Sequence, residues 1–305
     1  MGGALGAILT SFTGLKIKEF DAIYPTIESK YKEHEIIRLD RPDWKNKIGQ
    51  GKNPKLDLID RLLMLLIYYR LYITLTLTGF LFDLDQSNVH RNIKHIEPLV
   101  KECIPLPKKV HKMTKKIGDI EGLLKYFPGV KAFVDATEQE IPRPKNKRRR
   151  KNYYSGKKRK HTVKTQIITN KKGLIIHKTG YVNGKKHDYE LFKKKHPPIP
   201  HDVELNGDSG YQGIQKDFPE IKSRIPVKKQ RGISLEKKDK RHNRKLGKER
   251  VVVEHMIGKM KKFNIMGTKF RNKLNRYDNM TSIVSGLVNP KEVINEGFDL
   301  SQFVG

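Results

Sequence analysis

Acidic residues and cysteine are in short supply in this chain. Asp and Glu number 33 against 64 Lys and Arg, which leaves a net charge of +31 over 305 residues. That excess favours a polyphosphate partner or an anionic membrane face. The single cysteine, Cys103, excludes an internal disulfide framework, so a reducing compartment is expected. Long uncharged apolar runs are missing too. The best candidate, Leu62 to Phe82, has Arg70 at its middle, whereas a spanning helix needs roughly 20 residues with few or no charges. The start, Met1-Gly2-Gly3-Ala4-Leu5, has no basic segment before its apolar stretch and does not read as a secretion signal. There is no glycine-rich phosphate loop and no nucleophile elbow around Ser155 or Ser209. The histidines are not at a spacing that could join Cys103 around zinc.

What is present is a globular composition, 36% hydrophobic, long enough for two domains or for one with an appendage. Residues 1–55 are weakly patterned and read as an N-terminal arm, with turns at Arg41-Pro42-Asp43 and from Gly49 to Pro54. From Leu58 the pattern becomes helical: Leu58, Leu62, Leu65, Leu66 and Tyr69 form one stripe. A shorter helix over Thr74 to Phe82, a break at Asp83-Leu84-Asp85 and a third helix from Gln86 to Val100 complete a helix-turn-helix outline over 56–104. The outer face of the third helix carries Asn88, Arg91, Asn92 and His95, side chains suited to base edges and phosphates. An ordinary three-helix bundle with a polar exterior fits the same pattern. Residues 105–129 read as a connector with a short helix near Glu121 to Tyr126.

Over 130–290 strands come first, at 130–141, 161–169 and 174–182, with a basic loop at 143–160 and a turn from Asn170 to Gly173. A helix near Asp188 to Lys195, strands at 202–207 and 221–227 and a long helix from Asn243 to Phe263 follow. That order predicts an α/β domain with a mixed sheet. The tail, 291–305, carries no pattern.

Three acids stand out. Asp135 closes the apolar run Ala132-Phe133-Val134, and Asp208 closes Val203 to Gly207, so both are expected at strand ends, where open α/β sheets place their sites. Glu254 lies on the long helix between Val251 and Ile257, so its face is expected to turn toward the sheet. A buried lone carboxylate is costly, and one on a cation is not. Magnesium takes hard oxygen ligands, and two such ions can clamp an in-line phosphoryl displacement. Each acid has a plainer reading: a turn former at Asp135 and Asp208, and an i, i+4 partner of Arg250 or a balance for Lys261 at Glu254. The order of the three in so basic a chain favours the metal reading.

Lys145 to Lys160 holds ten basic residues in sixteen and no acid, with Tyr153 and Tyr154 among them. Cations there, Arg148, Arg149, Arg150, Lys157, Lys158, Arg159 and Lys160 included, can neutralise phosphates, and tyrosines can stack on bases. A solvated charge run or a nuclear-targeting patch would look the same. In Gly184-Lys185-Lys186-His187-Asp188, Asp188 is expected to cap the following helix. His187 and Asp188 also read as an auxiliary pair beside a metal site.

The segments Val134-Asp135-Ala136-Thr137-Glu138, Tyr154 to Thr162, Gly184 to Asp188, Gly207-Asp208-Ser209-Gly210-Tyr211-Gln212-Gly213 and Arg250-Val251-Val252-Val253-Glu254 resemble the DDE endonuclease domain of insertion-sequence transposases. The group most similar is the insertion-sequence-five-like enzymes, related to Harbinger elements, and residues 56–104 resemble the helix-turn-helix of the same proteins. The resemblance implies a ribonuclease-H-like catalytic domain over 130–290 behind an all-α DNA-binding domain. It implies Asp135, Asp208 and Glu254 as a triad holding two Mg2+ or Mn2+ ions. It also implies double-stranded DNA as partner, both terminal inverted repeats and target, with end cleavage followed by joining of 3′ hydroxyls. Joining two ends in one event implies a homodimer or larger on DNA, nucleoid-associated in the cytoplasm of a prokaryotic host. The alternatives are a DNA-binding regulator that no longer cuts and a basic RNA-binding protein.

Overall fold

The computed structural model describes residues 2–40, 55–229, 232–295 and 300–303. The turns expected at Arg41-Pro42-Asp43 and from Gly49 to Pro54 lie outside the described residues.

The weakly patterned start is helical rather than an irregular arm. Helix α1 spans Gly2–Thr13 and α2 spans Ile17–Leu39. Leu15, Phe20, Ile23 and Ile27 are buried in a core shared with the helices that follow. These apolar residues are spaced by three to five, and charges on the exposed face dilute the signal that sequence alone carries.

Each of the next three helices begins at a side-chain cap. Asp57 accepts from the Asp60 N–H at the head of α3 (Leu58–Leu71). Thr74 accepts from Leu77 at α4 (Leu75–Phe82), and Asp85 accepts from Ser87 and Asn88 at α5 (Gln86–Cys103). Such caps satisfy N–H groups that no helical turn can reach. The stretch Leu62 to Phe82 is thereby divided between two helices, and among the described residues no helix is long and apolar enough to cross a membrane. A Cβ on Gly79 would lie 2.3 Å from the Leu84 carbonyl oxygen, so the close approach of α4 to the turn before α5 requires glycine there. The expected connector holds α6 (Pro107–Thr114) and α7 (Ile120–Tyr126).

The sheet is mixed, as the order of elements predicts. Its longest strands, β1 (Lys131–Glu140) and β3 (Lys160–Asn170), pair antiparallel with Asp135 opposite Ile167 and Glu138 opposite Lys164. Between them the expected basic loop folds into α8 (Lys147–Tyr153), capped by Asn146, and the two-residue β2 (Tyr154–Ser155). Lys and Arg are good helix formers, so a charge run need not be a loop. The expected strand 174–182 is two pieces, β4 (Ile175–Lys178) and β5 (Val182–Asn183), both on β3. Between them Tyr181 N–H turns to the Asp278 carboxylate at 2.8 Å instead of a strand. Helix α9 (Asp188–Lys195) leads to β6 (Glu204–Asn206), and α10 (Ile214–Asp217) to β7 (Ser223–Arg224). Strand β6 runs parallel to β1, and β7 parallel to β6.

Helix α11 (Lys237–Lys261) starts six residues before the expected Asn243. After it come α12 (Asn264–Gly267), α13 (Tyr277–Val288) and α14 (Pro290–Asn295). The two-residue alternation of the strands divides the interior. Phe133, Val163 and Ile167 face α11 and α13, while Ala132, Val134 and Ile168 face Val110 of α6 and Phe192 of α9. The tail takes part as well: Phe303 is buried in the second core, and its carbonyl accepts from Lys109 Nζ at 2.6 Å.

Candidate active site

Register brings the first two acids together. In the parallel pair β1–β6, Phe133 stands beside Asn206. Asp135 and Asp208 each lie two residues past that last paired position, and the charge of Asp208 acts on the Asp135 carboxyl. Asp135 is not at a strand end as expected: it sits midway along β1. Only Lys131 to Phe133 have a partner in β6, so Asp135 meets an open notch on that side while β3 still holds it on the other. Asp208 does form a turn, its Oδ1 accepting from Gly210 N–H at 2.8 Å.

Glu254 comes from α11. Its expected turn toward an apolar environment is wrong: its side chain is 54% exposed, on the rim of the cleft. The buried stripe of α11 is Leu246, Arg250, Val253, Met256 and Met260, at helical spacing, and Glu254 falls beside it. The buried member with charge is Arg250. Its Nη2 lies 3.8 Å from Asp135 Oδ2 and 3.8 Å from Glu254 Oε1. The two carboxylates are therefore within twice that distance of each other, with one guanidinium between them.

Burial pushes the Asp135 carboxyl up to about 6. The Ala136 N–H and Arg250 pull it down, and the negative charges of Asp208 and Glu254 raise it further. Tyr211 lies beneath the group, fully buried, and its phenol is pushed well above its ordinary value by burial and by Asp188, Asp135 and Asp208. Asp188 thus belongs to the same neighbourhood. A Cβ on Gly210 would meet Asp208 Oδ1 at 2.9 Å and Asp188 Oδ2 at 3.4 Å.

Asp188 is not the cap of α9. His187 is, its Nδ1 accepting from Tyr189 N–H at 3.4 Å, and His187 is exposed. Asp188, one residue on, turns its carboxylate to Lys164 Nζ at 2.8 Å. Sequence reasoning missed Lys164. Its nearly buried ammonium also reaches the Lys186 carbonyl at 2.6 Å and Glu138 Oε1 at 3.5 Å. Two motif segments, Val134 to Glu138 on β1 and Gly184 to Asp188 at the head of α9, thus meet at this one cation on β3. A second lock is steric: a Cβ on Gly184 would lie 1.8 Å from Thr162 Oγ1, and Gly184 N–H donates to the Thr162 carbonyl at 2.9 Å. Thr162 in turn donates to Glu138 Oε2 at 2.8 Å. The available sequence signal for Lys164 was a lone cation inside a predicted strand that pairs with another carrying glutamate.

Asp135, Glu138, Asp188 and Glu254 line a cleft of about 220 Å³, together with Lys157, Lys158, Lys164 and Lys261. Lys261 is partly buried there. Its ammonium is pushed below its ordinary value by burial and Lys158, with Asp135 and Glu138 opposing. As they stand, no three His, Cys, Asp or Glu side chains among the described residues are close enough to hold a metal ion. The donor set is nonetheless of the right chemistry: hard carboxylate oxygens, one of them raised by burial, with its like-charged neighbours adding to the effect.

A larger basic cleft, about 1210 Å³, lies beside α8. Arg143, Lys147, Arg148, Arg150, Tyr154 and Lys185 are on its walls. The expected phosphate-gripping residues divide their duties. Arg148 is exposed, and Arg149 lies over the Tyr153 ring at 5.9 Å. Arg150 donates to the Pro144 and Lys145 carbonyls and so braces its own loop. Arg159 is exposed with φ +53°, Lys160 pairs with Glu140 at 2.6 Å, and Lys157 and Lys158 reach the acidic cleft. On α5 only Arg91 is exposed among the four expected residues. Asn88, Asn92 and His95 are half-buried, and the Asn92 amide donates to the Asn88 carbonyl at 2.9 Å. The solvent ridge of α5 is Ser87, His90, Arg91 and Lys94.

Residues 134–289 match the family model described as DDE superfamily endonuclease. Residues 54–106 match the helix-turn-helix of DDE superfamily endonuclease. The chain is 34% identical over 258 residues to a probable transposase for insertion sequence element IS702 from Microchaete diplosiphon, covering 83% of this chain and 88% of that protein. No solved structure matches. With the endonuclease model spanning half its length and a transposase similar over most of it, this chain belongs to the DDE-superfamily endonucleases of insertion-sequence transposases.

Proposed function

We propose that this chain cuts and joins DNA at the ends of a mobile element, with Asp135, Asp208 and Glu254 as its metal-binding triad on a ribonuclease-H-like domain. The observation that supports it most is the register of β1 and β6, which sets Asp135 and Asp208 two residues past one paired position, with Glu254 meeting Asp135 at Arg250. Asp135, Asp208 and Glu254 would hold Mg2+ or Mn2+, which when bound supplies an activated oxygen nucleophile and neutralises charge on the leaving oxygen. The residues themselves do the positioning. Strand β1 holds Asp135, the turn after β6 holds Asp208, and Glu254 stands exposed on the helix rim across Arg250 from Asp135. Arg250 keeps the acids compatible before a cation arrives. Lys158 and Lys261 present positive charge to the phosphate, and α3 to α5 bring the terminal repeat, with Arg91 at the exposed ridge.

Asp208→Asn keeps the turn, since an amide oxygen still accepts from Gly210, and removes the charge. In Mg2+ it is expected to lose strand cleavage of an end-labelled terminal repeat by at least a hundredfold, with gel-shift affinity for that repeat kept within about twofold. Normal nicking by this variant would remove the site assignment. Wild-type protein that binds the repeat and never cuts it, in Mg2+ or Mn2+, would instead mark a regulator.

A further inference from the structure

The first half of α11 carries charge that none of the functional assignments above uses. Residues 237–248 contain seven Lys or Arg and a single acid, Asp239. Lys237, Lys240, Arg241, Arg244, Lys245 and Lys248 are all exposed, and among the described residues none of them pairs with a carboxylate. Arg241 lies four residues from both Lys237 and Lys245, and Arg244 four from both Lys240 and Lys248. Like charges at that spacing repel and weaken a helix. A solvated helix face normally interleaves acids with bases to avoid this.

The segment is nonetheless firmly seated. Leu246 is fully buried. On the same inner side, the Asn243 amide takes the place of a strand neighbour, accepting from Val227 N–H at 2.9 Å and donating to the Val227 carbonyl at 3.0 Å. Glu249 is held by Lys131 at 2.7 Å and Arg224 at 3.3 Å. The inner face is therefore fixed, and the cations stand opposite it on a rigid rod. That rod continues to Glu254, about 25 Å from Lys237 at 1.5 Å per residue.

We infer that the exposed face of Lys237 to Lys248 is a sequence-independent docking ridge for the backbone of duplex DNA, which it delivers along α11 to the acidic cleft. The inference rests on the nuclease reading and adds a third DNA-contacting surface, separate from α5 and from the α8 cleft. Charge complementarity selects a polyphosphate. A straight row of cations at successive helical turns, about 5.4 Å apart, suits one backbone of a stiff duplex better than a collapsed single strand.

The test is the fourfold variant Arg241→Gln, Arg244→Gln, Lys245→Gln, Lys248→Gln in the full chain. Its binding is measured against a terminal-repeat duplex and an unrelated duplex of equal length, at several salt concentrations. A second variant, Lys108→Gln, Lys112→Gln, Lys115→Gln, Lys116→Gln, removes the same charge from exposed positions on and after α6. The ridge predicts at least a tenfold loss on both duplexes for the α11 variant, equal within twofold. It also predicts a salt slope shallower by two to four, about one for each phosphate that is no longer neutralised. It predicts a smaller loss for the α6 variant. Equal losses in the two variants, unchanged binding by the α11 variant, a loss confined to the terminal repeat, or tighter wild-type binding to single-stranded RNA than to duplex DNA would each overturn it. Failure of the nuclease reading looks different: wild-type protein would then cut no DNA, whatever the ridge does to binding. Circular dichroism of the α11 variant should show no loss of helix, because its inner face is untouched.

Discussion

Lys164 is the residue whose importance is most out of proportion to its sequence signal. An ammonium at 8% exposure survives only because Glu138, Asp188 and the Lys186 carbonyl surround it. Removing one partner of a buried ionic group typically costs about 3–5 kcal/mol, because the remaining charges are left uncompensated. Lys164→Met should therefore lower unfolding free energy by about that amount in urea titrations, and Lys164→Arg by clearly less. Equal midpoints for Lys164→Met and wild type would show that the cation is not what ties the two segments. At the same scale, Asp135 and Asp208 were legible as single letters closing apolar runs. Asp188 was legible too, but its reading as a helix cap is wrong. A helix start can be inferred to within a residue, and here one residue separates a capping His187 from a carboxylate aimed at Lys164.

Helix α6 and strand β4 meet at an edge-on pair of histidines, His111 and His177, with ring centroids 5.4 Å apart. Burial, with His111, Lys178 and His196 nearby, pushes the His177 imidazole down to about 3, and burial lowers His111 as well. The folded chain thus keeps His177 neutral down to about 3, while the unfolded chain takes up a proton near its ordinary value of about 6.5. As pH falls through that window the unfolded state binds the extra proton. Stability contributed by His177 is present above about 6.5 and declines toward 3, by up to about 1.4 kcal/mol per pH unit. Replacing His177 with Phe should flatten urea stability between pH 6.5 and 4 relative to wild type. An unchanged slope would mean that the ring is protonated in the fold. Among elements, α3, α5, most of α11 and the strands β1 and β3 were readable because hydrophobic period and length agree over ten or more residues, whereas α2, longer than α3 and α5, was not, because its apolar spacing is diluted by charge. The short β6 and β7 were readable only as longer strands. Strand length there is decided by where a neighbour stops, which is not a local property.

At the scale of the molecule, the helical start and the endonuclease segment share one core. Ile23, Leu62, Ile96, Met260 and Ile283 belong to a single buried cluster, although sequence punctuation divides the chain near 104 and 130. A polar joint reinforces it. Glu97 of α5, almost fully buried, is held by Arg276 at 2.7 Å through both oxygens and by the Tyr69 hydroxyl at 2.9 Å. Thermal or urea unfolding should therefore follow one transition reported alike by fluorescence and circular dichroism. Glu97→Ala should lower stability by about 3 kcal/mol without splitting that transition. Two separated transitions in the wild type would restore the two-domain picture that composition suggests.

Sequence alone determined the chemistry on offer: too few acids for the charge they face, three of those acids in a strand, strand, helix order, no disulfide, and basic segments fit for a polyanion. Those properties follow from residue type and short-range period, which the chain carries locally. Tertiary structure decided which groups meet. The parallel register of β1 and β6 sets Asp135 beside Asp208. The buried stripe of α11 puts Arg250 inside and leaves Glu254 on the rim, and Lys164 gathers segments that lie well apart along the chain. Pairing across a sheet and rotation of a helix are set by burial summed over many distant residues, so no window of sequence contains them.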